Sequence, residues 1–277
     1  MVISSGGLGI AQRSKQRRPL CWNPIDVPTQ PVQIRWLTGI VDLPTDTFDA
    51  GAAFWQQVTE SQRSESRGDG EFSTLIPPTG DAYMRLQRIA HGPRVHLDVH
   101  VDSIDDARQT AERVGATVDV NLGHVVMRSP TGFTFCFVSH QGESRRPEPV
   151  GLGAAHRLDQ LCIDVPKPHF EREIRFWQAL TGWTVQHSRL PEFAFLDQPS
   201  TLPLRLLFQQ LGEDDREFAS AHLDIACGRA VAEVMEIHQR FGAKYVSHGL
   251  RWTTMRDPVG LPYCLTQRDV LTGEVTT

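Results

Sequence analysis

Two segments of the sequence place a histidine and an aspartate at a spacing that suits acid–base chemistry. They read His96-Leu97-Asp98-Val99 and His222-Leu223-Asp224-Ile225, and both are strand-like. Side chains alternate along a strand, so the histidine and the aspartate of each segment share one face. A histidine oriented by a carboxylate is the usual form of a general base. The catalytic candidates are therefore His222, His96, Asp224 and Asp98.

The chain repeats around these two segments. Asp42-Leu43-Pro44 recurs as Asp164-Val165-Pro166, and Phe54-Trp55 recurs as Phe176-Trp177, each 122 positions later. The histidine segment recurs 126 positions later, and Cys136 recurs 128 positions later as Cys264. The motifs occur in the same order in both halves, and the distance between copies differs only by a few residues, as a longer loop would produce. This indicates a tandem duplication. Duplication also copies structural residues, so the paired His and Asp residues have a second interpretation, in which they only satisfy buried polar groups.

Each half divides into two units that consist of a strand, a helix and two or three further strands. In the first helix, Phe48, Ala52 and Trp55 fall on one face, as do Phe170, Ile174 and Trp177 in the duplicate. We therefore expect Trp55 and Trp177 to lie in the core. The second helix of the first half is expected to end at Gly115. The pattern predicts an α+β fold of four βαβββ modules.

Low-periodicity segments set the expected domain boundaries. Residues 1–30 are rich in proline and contain a basic run, and we expect a disordered tail. The first domain is predicted over 31–140, a Gly- and Pro-containing linker over 141–157 and the second domain over 158–270.

The composition excludes several classes of protein. The 277 residues carry a formal net charge of −5, which gives no electrostatic footprint for nucleic acid. The cysteines are five in number and none forms a CxxC pair, so a disulfide framework is poorly supported. The sequence has no apolar stretch that approaches 18 residues and no signal-peptide core, so we expect a cytoplasmic protein without a membrane span. Phosphate-loop, GxSxG and strand-linked GxGxxG motifs are absent.

Four features together resemble a known family. They are the βαβββ repeat, the Gly-Ala that ends the helices, the strands that open on His-Leu-Asp, and a closing Pro-x-Gly-x-x-x-Cys strand. Between Val32 and Arg268 the chain resembles glyoxalase-like members of the vicinal oxygen chelate superfamily. The resemblance implies that two modules form one cupped, barrel-like sheet, with a ligand or metal inside the cup.

The family's metal-ligand positions carry over onto four residues in each half. In the first half they are Thr38, Gln87, His96 and Cys136; in the second half they are Gln160, Gln209, His222 and Cys264. The superfamily's metals are usually held by imidazole and carboxylate, and no carboxylate stands at any of these positions. We therefore expect no bound metal. If a divalent metal is present, the ligands are expected to be His222, Gln160, Gln209 and Cys264.

The expected function is the binding of a small organic molecule in the cups, with the reaction unassigned. One alternative is a metal-dependent lyase, isomerase or dioxygenase of the superfamily, and another is a sequestration protein of the antibiotic-resistance type. The second half keeps more of the family's pattern, so its cup is predicted to be the functional one. We expect a monomer or homodimer. The predicted pocket-lining residues are Gln160, Gln209, Cys264, Trp252, Arg205, Thr38, Gln87, Cys136, Trp36 and Arg85.

Overall fold

The computed structural model describes residues 30–121, 124–151, 153–212 and 216–275. These residues form two mixed eight-stranded sheets, one from each half of the chain, with few helices. The predicted α+β fold of four modules is thereby confirmed. The predicted tail, residues 1–30, lies outside the described residues except for its last position.

The first half of the chain forms the first sheet and two helices. Its elements are β1 (Trp36–Pro44), α1 (Phe48–Val58), β2 (Gln62–Arg63), β3 (Phe72–Ile76), β4 (Met84–Ile89), β5 (Arg94–Val101), α2 (Ile104–Arg113), β6 (Thr117–Asn121), β7 (Val125–Arg128) and β8 (Thr134–Ser139). The strand order is β2-β3-β4-β1-β5-β8-β7-β6. The antiparallel pair β1 and β5 therefore joins two modules at the centre of the sheet.

The second half repeats this arrangement. Its elements are β9 (Arg157–Val165), α3 (Phe170–Thr181), β10 (Thr184–His187), β11 (Phe193–Asp197), β12 (Arg205–Gln210), β13 (Ser220–Ala226), α4 (Val231–Arg240), β14 (Lys244–His248), β15 (Trp252–Arg256) and β16 (Pro262–Thr266). The order β10-β11-β12-β9-β13-β16-β15-β14 matches that of the first sheet strand for strand. The segment predicted as a linker, 141–157, runs between β8 and β9, and its described residues include an isolated bridge between Val150 and His156.

Local sequence explains where the helices begin and end. The Ser103 side chain accepts a hydrogen bond from the Asp106 backbone amide at the start of α2, as a helix N-cap does. Gly115 follows the helix with φ +107, a conformation that glycine adopts without a steric penalty. In α1, the predicted inward residues Phe48, Ala52 and Trp55 are all buried, so the predicted helical faces are confirmed.

The first helix of each half packs against the other half. In α1, Phe54 and Trp55 contact Tyr263 of β16, with ring centroids 5.7 and 5.5 Å apart. In α3, Trp177 contacts Phe135 of β8 at 5.1 Å. The apolar faces of the two sheets therefore share one core, and the polar residues of the central strands lie on the opposite faces, inside the cups.

No helix in the described part of the chain is long and apolar enough to cross a membrane.

Candidate functional site

The central strands of the second half bring the predicted site residues together. In the β9–β13 pairing, His222 lies opposite Cys162 and Asp224 lies opposite Gln160. Directly opposed residues of an antiparallel pair point to the same side of the sheet. The polar side chains of both strands therefore converge in one cup, and all four of these residues are buried.

His222 lies between two carboxylates. Its Nδ1 is 2.9 Å from Asp164 Oδ2, and its Nε2 is 3.3 Å from Asp224 Oδ1. Gln160 Nε2 donates a hydrogen bond of 2.7 Å to the other oxygen of Asp224. Burial opposes the charge on His222, but the neighbouring Asp164 carboxylate raises the pKa of the imidazole well above 6.5. The flanking carboxylate therefore favours the protonated form of His222.

Two thiols lie beside this histidine. Cys162 Sγ donates to Gln209 Oε1 at 3.9 Å, and Cys264 Sγ is 3.8 Å from Thr254 Oγ1. Burial raises the pKa of the Cys162 thiol, so it is neutral at physiological pH. The predicted aromatic residue Trp252 is half-buried and packs edge-on against a phenylalanine of β11.

A segment that follows β16 covers one end of the second cup. Arg205 Nη1 donates to the Gly273 carbonyl at 2.8 Å, and Arg157 Nη2 donates to the Leu271 carbonyl at 2.9 Å. From this segment the Arg268 guanidinium reaches inward, binds Asp159 and lies 3.6 Å from Asp224 Oδ2. Arg268 was not among the predicted site residues, although the strand alternation that includes Cys264 reaches it four positions later.

The first cup holds a similar set of residues in a looser arrangement. His96 Nδ1 is 3.0 Å from Asp42 Oδ2, but its Nε2 is 4.0 Å from Asp98 Oδ1. Asp98 instead pairs with Arg85 at 3.3 Å. Burial raises the pKa of Asp98, and burial and this carboxylate together raise the pKa of Cys136.

The other predicted residues of the first half do not surround His96 as ligands. Gln87 Nε2 donates to Glu71 Oε1 at 2.8 Å, and the buried Trp36 donates its Nε1 hydrogen to the Ala82 carbonyl at 3.0 Å. Thr38 Oγ1 is 2.9 Å from Nε2 of His100.

A third polar cluster, His100, His140 and Glu143, lies at the end of the first cup. One ligand atom from each residue lies within 4.8 Å of the others. Burial lowers the pKa of His100 to about 4, so this imidazole is neutral at neutral pH. Sequence reasoning missed the cluster because His140 was assigned to the end of the first domain and Glu143 to the linker.

The four family metal positions of the second half do not fit an ion as they stand. A metal binds neutral imidazole, whereas His222 faces a carboxylate at each ring nitrogen, an arrangement that favours its protonated form. A different set of three comes closer: a His222 nitrogen, an Asp224 oxygen and Cys264 Sγ lie within 4.8 Å of one another. His96, Asp98 and Cys136 form the same set in the first cup.

The sequence matches the family model described as Glyoxalase-like domain twice, over residues 40–138 and 160–266. Each match spans one sheet and most of the chain is covered. The chain belongs to the glyoxalase-like family. The predicted resemblance and the tandem arrangement are thereby confirmed. No curated protein matches this glyoxalase-like sequence.

Solved structures with the same fold include enzymes of the superfamily. A 2,2′,3-trihydroxybiphenyl 1,2-dioxygenase from Sphingomonas wittichii has a TM-score of 0.58 and 15% identity, over 86% of this chain and 90% of that one. The Mn(II)-bound glyoxalase from Novosphingobium aromaticivorans has a TM-score of 0.59 and 14% identity, over 89% and 86%. A 2,3-dioxygenase from a Pseudomonas species has a TM-score of 0.59 and 11% identity, over 86% and 93%. At these identities the likeness shows the glyoxalase-like fold alone.

Proposed function

We propose that this glyoxalase-like protein binds a small organic molecule in its second cup, with His222 at the centre of the site. The observation that carries the proposal is the arrangement of His222 between Asp164 and Asp224, at 2.9 and 3.3 Å. Three buried polar side chains on one face of a sheet are costly to maintain for packing alone, since apolar residues fill such space at lower cost.

The free hydrogen-bonding capacity of the cup supports a polar ligand. Arg268 Nε is buried and makes no hydrogen bond within the described residues, and the buried Asp224 Oδ1 has only its 3.3 Å ion pair with His222. A buried polar atom in a native protein normally has a partner. The carboxylate oxygen can accept from a hydroxyl or amine, and the guanidinium nitrogen can donate to a carbonyl, carboxylate or phenolate oxygen. A ligand with both kinds of group, such as a hydroxylated acid, satisfies both atoms.

Gln160, Gln209, Cys264, Trp252 and Arg205 are proposed as further residues of this site. They belong to the strands that form the second cup, and Gln160 already donates to Asp224. The corresponding residues of the first cup, together with His96 and Asp98, are proposed as a scaffold in which Arg85 neutralises the buried aspartate.

The experiment is a thermal-shift screen of the full chain against hydroxylated aromatic and aliphatic acids, followed by calorimetric titration of the hits. His222→Ala should weaken binding at least 10-fold, because it removes the central group. His96→Ala is the matched variant in the other cup and should leave the affinity unchanged. If His96→Ala abolishes binding while a folded His222→Ala binds normally, the two halves have the opposite roles. Binding that neither variant changes would rule out both cups.

A metal-dependent lyase, isomerase or dioxygenase is the second candidate function. Two observations favour it: the ligand-type atoms of His222, Asp224 and Cys264 converge within 4.8 Å, and one structural neighbour is a glyoxalase with Mn(II) bound. Metal binding there requires His222 to lose a proton. Elemental analysis of protein purified without a chelator or an affinity tag tests this function. A stoichiometric metal that His222→Ala loses and His140→Ala keeps supports the enzyme, whereas tight ligand binding without metal at His222 or turnover supports sequestration.

The cellular setting is also a proposal. Cys136, Cys162, Cys227 and Cys264 are all free and buried in the described residues, which suits the reducing cytoplasm. We expect a monomer or homodimer that acts on a small molecule, without nucleic acid as a partner. Size-exclusion chromatography with light scattering measures the assembly directly.

A further inference from the structure

We propose that His100, His140 and Glu143 form a binding site for a divalent first-row transition-metal ion at the end of the first cup. The proposal is independent of the ligand proposed for the second cup. None of the three residues stands at a position where the family resemblance places a metal ligand, since those positions in this half are Thr38, Gln87, His96 and Cys136.

The backbone holds the two histidines close together. His100 is the penultimate residue of β5, which pairs in parallel with β8 and places His100 opposite Val138. The pairing continues past the strand ends, because the His140 amide donates to the Val101 carbonyl at 3.0 Å. Both imidazoles therefore sit at the ends of adjacent strands of one sheet, His140 directly after β8.

A short turn brings the carboxylate back onto the histidines. Gly142 has φ +102, which favours glycine and reverses the chain between His140 and Glu143. The next two backbone amides, of Ser144 and Arg145, donate to Asp81 Oδ2 at 2.7 and 2.8 Å, so the turn is anchored to the first half. As a result, Glu143 Oε2 is 3.2 Å from His140 Nδ1 and Oε1 is 3.6 Å from His100 Nδ1.

The two nitrogens that face Glu143 lack hydrogen-bond partners. His100 is 1% exposed, and its Nδ1 and the Nδ1 of His140 are both buried without a hydrogen bond in the described chain. The opposite nitrogen of His100, Nε2, is 2.9 Å from Thr38 Oγ1. When Nε2 donates its hydrogen to Thr38, the Nδ1 lone pair points toward Glu143. A hydrogen bond on the outer nitrogen is how metal-binding histidines are usually oriented.

The second half of the molecule provides an internal comparison. In the second half, the equivalent positions hold Ala226, Arg268 and Leu271. They lie 126, 128 and 128 positions after His100, His140 and Glu143, respectively. The strand pairing supports the match, because Ala226 lies opposite Thr266 just as His100 lies opposite Val138. The same fold is thus built without a histidine pair or a carboxylate there. The fold therefore does not require this cluster, and the cluster is not a structural feature that both duplicated halves share.

The ligand chemistry defines the class of ion. Two imidazoles and one carboxylate suit Zn²⁺, Fe²⁺, Co²⁺ or Ni²⁺, whereas Ca²⁺ and Mg²⁺ favour oxygen ligands. Three protein ligands leave coordination positions for water or a further ligand. The site contains no sulfur, unlike the cysteine-containing sets at His96 and His222, and this difference makes it spectroscopically distinct.

The test is a Co²⁺ titration of the full chain after treatment with chelator, followed by visible and near-ultraviolet absorption. We expect one equivalent of Co²⁺ with visible ligand-field bands and no thiolate-to-cobalt charge-transfer band. Glu143→Gln and His140→Ala should each weaken binding at least 10-fold. These two variants are more informative than a substitution of the fully buried His100. Near-ultraviolet circular dichroism checks that both variants fold. His91→Ala, at an exposed histidine, is the control and should bind like wild type.

Two outcomes would overturn the proposal. One is the absence of ligand-field bands at a saturating concentration of Co²⁺. The other is a charge-transfer band that survives in folded His140→Ala and disappears in Cys264→Ser or Cys136→Ser, which would place the ion at a cysteine-containing set. A spectrum unchanged in His222→Ala but lost in His140→Ala would support the site whatever the fate of the second-cup ligand.

Discussion

Trp55 Nε1 donates a hydrogen bond of 3.0 Å to Asp257 Oδ2, across 202 positions of sequence and across the boundary between the two halves. The equivalent tryptophan, Trp177, donates instead to Glu173 on its own helix at 2.8 Å. Glu173 occupies the position of Gly51 in the first half. At the Trp55 interface, the carboxylate that accepts from the buried indole is Asp257, on the facing turn of the other half. At the Trp177 interface, it is Glu173, on the same helix as the tryptophan.

The first prediction concerns the pH dependence of this contact. Burial raises the pKa of Asp257 from 3.8 to about 6, against the effect of its hydrogen bonds from Leu261 and Trp55. The folded state therefore binds the Asp257 proton more tightly than the unfolded state does. The free energy of unfolding consequently falls as pH rises from about 4 to about 6. The shift corresponds to roughly 3 kcal/mol. From about pH 4 to about pH 7, the free energy of unfolding of Asp257→Asn should therefore rise relative to that of wild type by up to this amount. Urea unfolding across this pH range measures the difference.

Exposed Asp46→Asn is the control for Asp257→Asn, and its difference from wild type should change little over the same interval. A constant difference between Asp257→Asn and wild type across this pH range would mean that Asp257 has an ordinary pKa in the folded protein.

The second prediction concerns the corresponding carboxylate of the other interface. Glu173 is fully buried and accepts hydrogen bonds from Trp177 Nε1 and, at 2.6 Å, from Thr131 Oγ1. Glu173→Ala leaves both donors unpaired and opens a cavity, so it should destabilise the protein by about 3–5 kcal/mol in urea unfolding. Glu171→Ala, on the exposed face of the same helix, should cost no more than about 0.5 kcal/mol. Equal effects of the two variants would contradict the interface role.

The third prediction concerns the guanidinium in the second cup. Arg268 is the ion-pair partner of Asp159, which is fully buried. Arg268→Ala leaves that carboxylate unpaired and should cost about 3–5 kcal/mol in thermal or urea unfolding. Arg240→Ala removes an exposed arginine and serves as the matched change of charge. A loss below about 1 kcal/mol for Arg268→Ala would show that Asp159 is stable without its partner.

The fourth prediction concerns the N-terminal segment. Deletion of residues 1–30 should change the melting temperature little, because their Pro-rich sequence is aperiodic. Deletion of residues 1–32 should lower it more, since the Val32 amide donates to the Leu180 carbonyl at 2.8 Å and Pro31 packs beside Gly182. A drop of about 10 °C on removing residues 1–30 alone would show that they pack against the fold.

Periodicity in the sequence was sufficient to predict the central elements of the fold. The buried faces of α1 and α3 match the structure, because one side of each helix is apolar. The outermost strand of each module follows from the βαβββ pattern but was not placed on particular residues. β2 has two exposed residues and every residue of β14 is exposed, so neither carries an alternating apolar pattern that single-sequence reasoning can detect.

The site was harder to predict than the fold. Alternation placed His222 and Asp224 on one face, as the structure has them. It did not reveal that Asp164 approaches the other side of the imidazole, because this depends on the register between β9 and β13. Arg268 and His140 were missed for a related reason: each follows a terminal strand by one or two residues, where the pattern gives no sign that the chain still runs along the sheet.

The packing of α1 and α3 on the opposite halves has a consequence for the origin of the molecule. A single half on its own would expose Trp55 or Trp177, together with the surface that now covers it. Two copies of one half could cover each other by the same contact, related by a twofold axis, as in a symmetric homodimer. Gene fusion would then have turned an association that depends on concentration into one that the chain carries within itself. The use of Asp257 at one interface and Glu173 at the other is a difference that identical subunits cannot have, since they must carry the same residue on both sides.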